Sequence, residues 1–271
     1  MLVDLHIHST FSDGLYTPAQ LVSEAESKNV RVISVTDHDL WEGVAPALLA
    51  AEGTKVKVIA GVELGTQFDG ASIHILGYHV DTGCTLLHDK MVDLRKAREE
   101  RLLKILKKLN LLGYEVTAGE CDPINRAVGR PHVAKALVAK GYFSTVQEAF
   151  DVLLRRGGPA YVAQPRLNPE EAIKLIHSAK GIAVLAHPNE LPNVDFAEML
   201  ITKFPFDGLE VYHPSADEES QKHWLQFARK KNILISGGSD FHGISDRYPE
   251  SLGIFQVHYS NTAGVINYAW K

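Results

Sequence analysis

Apolar, β-branched runs recur along the chain and alternate with stretches of helical period. The runs are Leu2–Ile7, Val32–Thr36, Val56–Val62, Ser72–Tyr78, Ile182–Ala186, Gly208–Tyr212, Ile233–Ser236 and Gly253–Val257. Several are too continuously apolar to leave one face in water, which predicts buried parallel strands. Helical patterns fall between them at 18–29, 42–52, 168–180, 194–203 and 217–231. Thr17-Pro18-Ala19-Gln20 and Asn168-Pro169-Glu170-Glu171 each offer an N-cap, a first-turn proline and a capping-box partner. Ser144-Thr145-Val146-Gln147 marks another helix start. Alternation of this kind predicts an α/β fold with a parallel sheet.

The rhythm breaks between residues 83 and 158. A long charged helix is expected from Leu86 to Asn110, followed by shorter helices at 131–140 and 145–155, with Gly157-Gly158-Pro159 as the exit. The pattern therefore predicts one barrel built from 1–82 and 159–271, interrupted by a helical insertion over 83–158. No tandem repeat is visible.

Composition narrows the function. The chain has 271 residues, 45% of them hydrophobic, enough for a large core. Lys and Arg total 28 against 33 Asp and Glu, a net charge of −5. That excludes a global basic field for long duplex nucleic acid. An anionic substrate must be held by local cations or by metal. Cys84 and Cys121 form no CxxC pattern, so no disulfide framework is implied. The first residues lack a signal-peptide pattern. No apolar stretch approaches the roughly 20 residues of a membrane span. A reducing cytoplasmic setting is the expectation.

The thirteen histidines then decide the chemistry, because many of them sit with carboxylates at predicted strand ends. His6-Ile7-His8 closes the first strand, and Asp13 follows in its loop. Thr36-Asp37-His38-Asp39 closes the second and Gly61-Val62-Glu63 the third. His74 lies in Ile73-His74-Ile75-Leu76-Gly77. Ala186-His187-Pro188 and Ser239-Asp240-Phe241-His242 close two more. The carboxyl ends of barrel strands share one rim, where active sites are built. Imidazole and carboxylate are ligands for zinc, manganese or iron. Taken singly, each element has a plainer reading. HxH is often structural, Asp37 and Asp39 suit a capping turn, and SDFH suits an N-cap loop. Their joint placement at strand ends favours a metal cluster.

Together, HxH with a following Asp, TDHD, GVE, the IHILGY strand, AHP and SDFH resemble the PHP phosphoesterase family. The resemblance spans nearly the whole chain, insertion included. It is strongest to the small stand-alone enzymes similar to nucleoside 3′,5′-bisphosphate phosphatases and 5′–3′ exoribonucleases. It implies a distorted (β/α)7, TIM-like barrel holding two or three divalent ions, manganese foremost, with zinc, iron or magnesium as alternatives. His6, His8, Glu63 and Asp240 would hold the first ion. Glu63 would bridge to a second, completed by His74 and His187. Asp13, His38 and His242 would hold a third. Some members with three ions have histidine where Asp13 stands here.

The resemblance extends into the insertion, which it places over the active-site mouth. Val128-Gly129-Arg130-Pro131-His132 is similar to the family's RPH segment, and this implies that Arg130 grips phosphate and His132 contacts a phosphate oxygen or the leaving alcohol. The plainer reading is that both only cap the helix beginning at Pro131. His213 and Arg247 are further candidate substrate contacts, and Glu210 is expected behind the ligands. Arg95, Arg98 and Arg101 are expected on a solvated face. His79, His88, His177, His223 and His258 are expected to be surface or structural.

The implied reaction is attack on phosphorus by a hydroxide bridging two ions near Glu63. Small phosphorylated molecules, nucleotides or short RNA are the expected substrates. Histidinol phosphate is the alternative within the same chemistry. An amidohydrolase is the alternative in another class, although the mid-barrel bridge here is Glu63 and no strand-end lysine is evident. A non-catalytic metal- or phosphate-binding module is a further alternative. The sequence leaves the oligomeric state open.

Overall fold

The computed structural model describes residues 1–121, 129–163, 166–244 and 247–269. The chain divides into two compact units, Met1–Met91 with Arg166–Lys271, and Val92–Pro165. The sequence pattern places the insertion at 83–158, somewhat earlier at both ends. The long helix α3, Thr85–Leu111, runs across the first of these junctions.

The first unit is a curled sheet with helices around it. Its strands are β1 Leu2–Ile7, β2 Val30–Val35, β3 Lys57–Phe68, β4 Ala71–Tyr78, β5 Ile182–Leu185, β6 Gly208–Tyr212, β7 Leu234–Gly237 and β8 Val257–His258. They are ordered β7-β6-β5-β4-β3-β2-β1-β8. Beyond β7, Phe241 bridges in parallel to Ile7, and the His8 N–H donates to the Phe241 carbonyl at 2.9 Å. That contact draws the two ends of the sheet together into a TIM-like barrel. The helices of this unit outside α3 are α1 Pro18–Ser27, α2 Val44–Ala51, α7 Pro169–Ser178, α8 Val194–Lys203, α9 Glu218–Lys231 and α10 Tyr259–Ile266. The capping boxes at Thr17 and Asn168 form. One apolar cluster packs Ile7, Ile33 and Val35 against Leu21, Val22 and Ala47 of α1 and α2. Another gathers Val3, Leu5, Leu76, Tyr78 and Val184 with Val265 and Ile266.

The sheet is not wholly parallel. β1–β2–β3 and β5–β6–β7 pair in parallel, but β4 runs antiparallel to both β3 and β5. The cause is local. Asp69 and Gly70 both have positive φ, 47° and 80°, as a two-residue hairpin turn of type I′ requires. Such a turn can only join antiparallel strands. This Asp-Gly pair was a readable hairpin signal. It also carries β3 well past Glu63, which lies mid-strand rather than at a strand end.

Two other expectations change. The run Gly253–Val257 is mostly turn, with only Val257–His258 pairing antiparallel to β1. Helix α10, which follows it, has weak amphipathic patterning and was not anticipated.

The second unit is helical: the later part of α3, then α4 Ala118–Cys121, α5 Arg130–Ala139, α6 Val146–Ala149 and a π-helical turn, Phe150–Leu154. Its core is Leu102, Ile105, Leu106, Leu109, Val133, Leu137, Leu153 and Leu154 with their neighbours. Arg101 is not on a solvated face. It is buried, and its Nε donates to the Val162 carbonyl at 2.8 Å.

Candidate metal centre

The ligand-type residues of the first unit converge, but not all by the route the sequence suggests. His6 and His8 come from the end of β1, His38 and Glu63 meet across an isolated parallel bridge, and His187 and Asp240 follow β5 and β7. His74 arrives differently. Its strand is antiparallel to its neighbours, so the first half of β4, not its carboxyl end, reaches this rim. His74 pairs with Gly65, two residues past Glu63. Its Nδ1 lies 2.9 Å from Glu63 Oε1.

Glu63 is at the centre. Its Oε2 faces His38 Nδ1 at 2.9 Å, His8 Nε2 at 3.2 Å and His6 Nε2 at 3.5 Å. Its Oε1 faces His74 Nδ1 at 2.9 Å and His187 Nε2 at 3.4 Å. Asp240 Oδ1 lies 3.1 Å from His8 Nε2 and 3.4 Å from His6 Nε2. Asp13 Oδ1 is 3.3 Å from His242 Nε2, and its Oδ2 is 3.8 Å from His38 Nε2.

Several of these atoms lack hydrogen-bond geometry despite the short separations. His6 Nε2, His8 Nε2, Glu63 Oε2 and Asp13 Oδ1 are buried without a hydrogen-bond partner. Orphaned buried polar atoms cost free energy unless something else satisfies them. A cation does so. Donors at about 2.0–2.2 Å from one ion stand roughly 3.0–3.5 Å apart, matching the spacings found. Among the described residues three groups can hold an ion: His6, His8 and Asp240; His38, Glu63 and His74; and His8, Asp13, His38 and His242. Relative to the family-derived sets, His38 also stands with Glu63 and His74, and His8 also stands with Asp13 and His242.

The electrostatics follow from burial and proximity. For His8, burial opposes charge, but contacts with Asp240 and Glu63 outweigh it and raise the imidazole to about 10. For Glu63, burial acts against ionisation, yet His38, His74 and His6 hold it well below the usual carboxylate range. Asp240 is likewise held well below, against burial, by His6 and His8.

A layer of side chains behind the ligands orients them. Glu210 is buried, with Oε1 3.0 Å from His6 Nδ1 and Oε2 accepting the His187 N–H at 2.8 Å. Carboxylates bonded to the far nitrogen of a ligating histidine fix its ring and raise its basicity. His187, Asp240 and Asp39 have positive φ, 27°, 51° and 52°, conformations that cost energy in non-glycine residues and gather at functional sites. Gly238 has a steric role: a Cβ there would lie 2.3 Å from the His6 backbone nitrogen.

Sequence reasoning passed over Asp4 and Glu190. Asp4 accepts the Ser239 N–H at 2.8 Å and joins β1 to the Asp240 loop. Burial pushes its carboxyl up to about 7 against the lowering effect of the Ser239 bonds. Its signal was a carboxylate two residues before His6 in an otherwise apolar strand. Glu190 Oε2 lies 3.3 Å from His187 Nδ1, one helical turn away.

His213 is brought beside the cluster. Its Nδ1 accepts the Ser215 N–H at 3.1 Å, and its Nε2 is 4.0 Å from Asp240 Oδ2. Arg247 donates to Asp240 Oδ2 at 2.7 Å. Arg130 and His132 belong to the second unit. There Arg130 donates to the Leu154 carbonyl at 3.0 Å, with its guanidinium over the rings of Phe150 and Tyr161. His132 Nδ1 accepts the Gly129 N–H at 3.1 Å, a cap on α5. Val128, which opens that segment, lies outside the described residues. His177 and His223 pair with Asp207 and Glu198, and His79 with the Val265 carbonyl.

The PHP domain model matches residues 4–159. A 5′–3′ exoribonuclease of Haemophilus influenzae is 34% identical over 248 residues, covering 88% of this chain and 89% of the relative. A 3′,5′-nucleoside bisphosphate phosphatase of Chromobacterium violaceum is 29% identical over 251 residues, covering 89% and 87%. A crystal structure from Bifidobacterium adolescentis, described as a candidate metal-dependent phosphoesterase, superposes with TM-score 0.82 at 27% identity, covering 97% and 94%. The chain belongs to the PHP domain family and is a phosphoesterase of that family. No helix among the described residues is long and apolar enough to cross a membrane.

Proposed function

We propose that this enzyme hydrolyses phosphate esters of nucleotides, removing the 3′-phosphate of nucleoside 3′,5′-bisphosphates or trimming short 5′-phosphorylated RNA. The two oxygens of Glu63 carry this reading. One faces His6, His8 and His38, and the other faces His74 and His187. A buried carboxylate so placed suits a bridge between two ions, with Asp13, His38 and His242 available for a third. Manganese is the proposed occupant, and zinc, iron or magnesium suit the same donors. When bound, such ions acidify water and neutralise phosphoryl charge.

The protein's own groups then have definite tasks. Glu63 and Asp240 hold their negative charge at the pH of the reaction. Glu210 orients His6 and holds the His187 backbone. With Nδ1 of His213 accepting a backbone N–H, its neutral ring carries the proton on Nε2. Burial lowers the His213 pKa and keeps that ring neutral. The Nε2–H beside Asp240 is therefore a donor for a phosphate oxygen. Arg247, anchored on Asp240, is a second donor.

Purified protein depleted of metal and reloaded with manganese, zinc or iron should hydrolyse adenosine 3′,5′-bisphosphate or short 5′-phosphorylated RNA faster than histidinol phosphate. Preference for histidinol phosphate would favour the alternative substrate. Failure to hydrolyse any phosphoester with any metal would sink the proposal.

A further inference from the structure

Asp37 is the member of Thr36-Asp37-His38-Asp39 that the proposed reaction leaves unused. It is buried, and its carboxylate is engaged by the loop after β1. Oδ1 accepts the Ser9 N–H at 2.8 Å and the Ser12 hydroxyl at 2.5 Å, and Oδ2 accepts the Ser9 hydroxyl at 2.6 Å. On the other side Gly43 closes in so tightly that a Cβ there would lie 2.5 Å from Oδ2. Among the described residues Asp37 belongs to none of the groups able to hold an ion. Nor does it cap α2, whose first turn lacks a side-chain cap.

What it holds is the loop that presents Asp13. That loop also folds on itself: the Ser12 and Gly14 N–H groups donate to the Ser9 carbonyl, and the Phe11 N–H donates to Ser9 Oγ. Asp13 is the residue after Ser12, and it faces His242 and His38. The Leu15 N–H also donates to the His242 carbonyl at 2.8 Å and the Thr10 N–H to the Tyr16 carbonyl at 2.9 Å. The side-chain anchor of the loop, however, is Asp37, and bonds to a carboxylate are stronger than bonds between neutral groups. The Ser12 contact with His8 Nδ1 is longer, 3.4 Å, and His8 is fixed independently at the end of β1.

We infer that Asp37 is a positioning residue that sets the affinity of the Asp13, His38 and His242 site by holding Asp13 in place. The inference rests on the proposed metal chemistry. In this chain a carboxylate stands at position 13, and a carboxylate on a mobile loop would be a poor ligand without such an anchor.

The test is titration of the metal-free full chain with manganese, following free ion by electron paramagnetic resonance. Asp13→Ala marks the site by weakening one ion equivalent. Asp37→Asn keeps the shape but removes the charge and puts an NH2 group in place of one oxygen, so at least one of the three bonds to Ser9 and Ser12 is lost or reversed. It should weaken that same equivalent about 10–100-fold, the usual effect of losing an outer partner. Ser12→Ala, which leaves the carboxylate in place, should do so less strongly. Asp13→Ala/Asp37→Asn should bind its remaining ions as Asp13→Ala does, because the two residues act through one element. The inference fails if Asp37→Asn binds every equivalent as the wild type does, or if it weakens the ions that survive in Asp13→Ala. If Asp37→Asn does not fold, an unchanged Ser12→Ala titration overturns it. Absence of any manganese binding by the wild type would instead remove the metal reading itself.

Discussion

In the barrel unit, His6, His8, Glu63 and Asp13 each keep a buried nitrogen or oxygen with no hydrogen-bond partner; those of His6 and His8 face that of Glu63, and that of Asp13 faces His242. In the helical unit, Arg130, Lys108 and Lys140 give their cationic groups to the carbonyls of Leu154, Tyr161 and Glu115. Buried polar groups are normally satisfied, so an unsatisfied buried cluster signals a missing partner; Lys108 and Lys140 are exposed, and their bonds to carbonyls tie surface segments together. The same residue types thus carry different weight in the two regions. A histidine in the barrel, His8, belongs to two groups able to hold a cation; a histidine in the helical unit, His132, caps α5.

The contrast can be broken most directly at its centre. Glu63→Ala should lower kcat/KM on adenosine 3′,5′-bisphosphate by about 10³-fold or more, since several kcal/mol of charge stabilisation would depend on the proposed bridge. A loss below tenfold would remove Glu63 from the chemistry. Acidification probes the same atoms. His8, at about 10 in the metal-free protein, is protonated below that pH, so a cation must displace its proton. Metal affinity should therefore fall as pH falls, by up to about tenfold per pH unit for each proton displaced. Calorimetry in buffers of different ionisation enthalpy would detect the released protons. Chelation should lower the melting temperature by roughly 5–10 °C, the shift expected from losing an ion at about a hundred times its Kd. An unchanged melt would mean that the cluster carries no ion.

The helical unit should respond on a smaller scale. Arg130→Ala should destabilise by about 1–2 kcal/mol through the lost carbonyl bond and ring contacts, read by urea denaturation. It also tests the role implied by the sequence. Equal turnover losses on a bisphosphate and on phenyl phosphate would take Arg130 out of substrate discrimination. Thr145→Ala, which removes the side chain that accepts the Glu148 N–H at the start of α6, should cost about 1 kcal/mol. Hydrogen exchange around α6 would report it.

Much of this was legible from residues alone. Continuous apolar runs located β1 and β6 to the residue, and the capping boxes at Thr17 and Asn168 located two helix starts, because strand burial and orphan N–H groups act within a few residues. The His and Asp residues that follow β1, β5 and β7 were readable for the same reason, whereas Glu63 and His74 lie within their strands. The reversed strand β4 was also written locally, in Asp69-Gly70, although its apolar run looks like any buried strand. Other features were beyond reach. That Glu63 faces two ligand groups with different oxygens, that Asp37 is turned to Ser9 and Ser12, and that Arg101 is buried all depend on contacts between segments distant in the chain. Periodicity says which side of an element is buried, but not which distant atom it meets. Sequence determined the inventory of donors and the elements that carry them. Tertiary structure decided which donors share a point in space and which are committed elsewhere, because side-chain valence is filled by whatever neighbour the fold supplies.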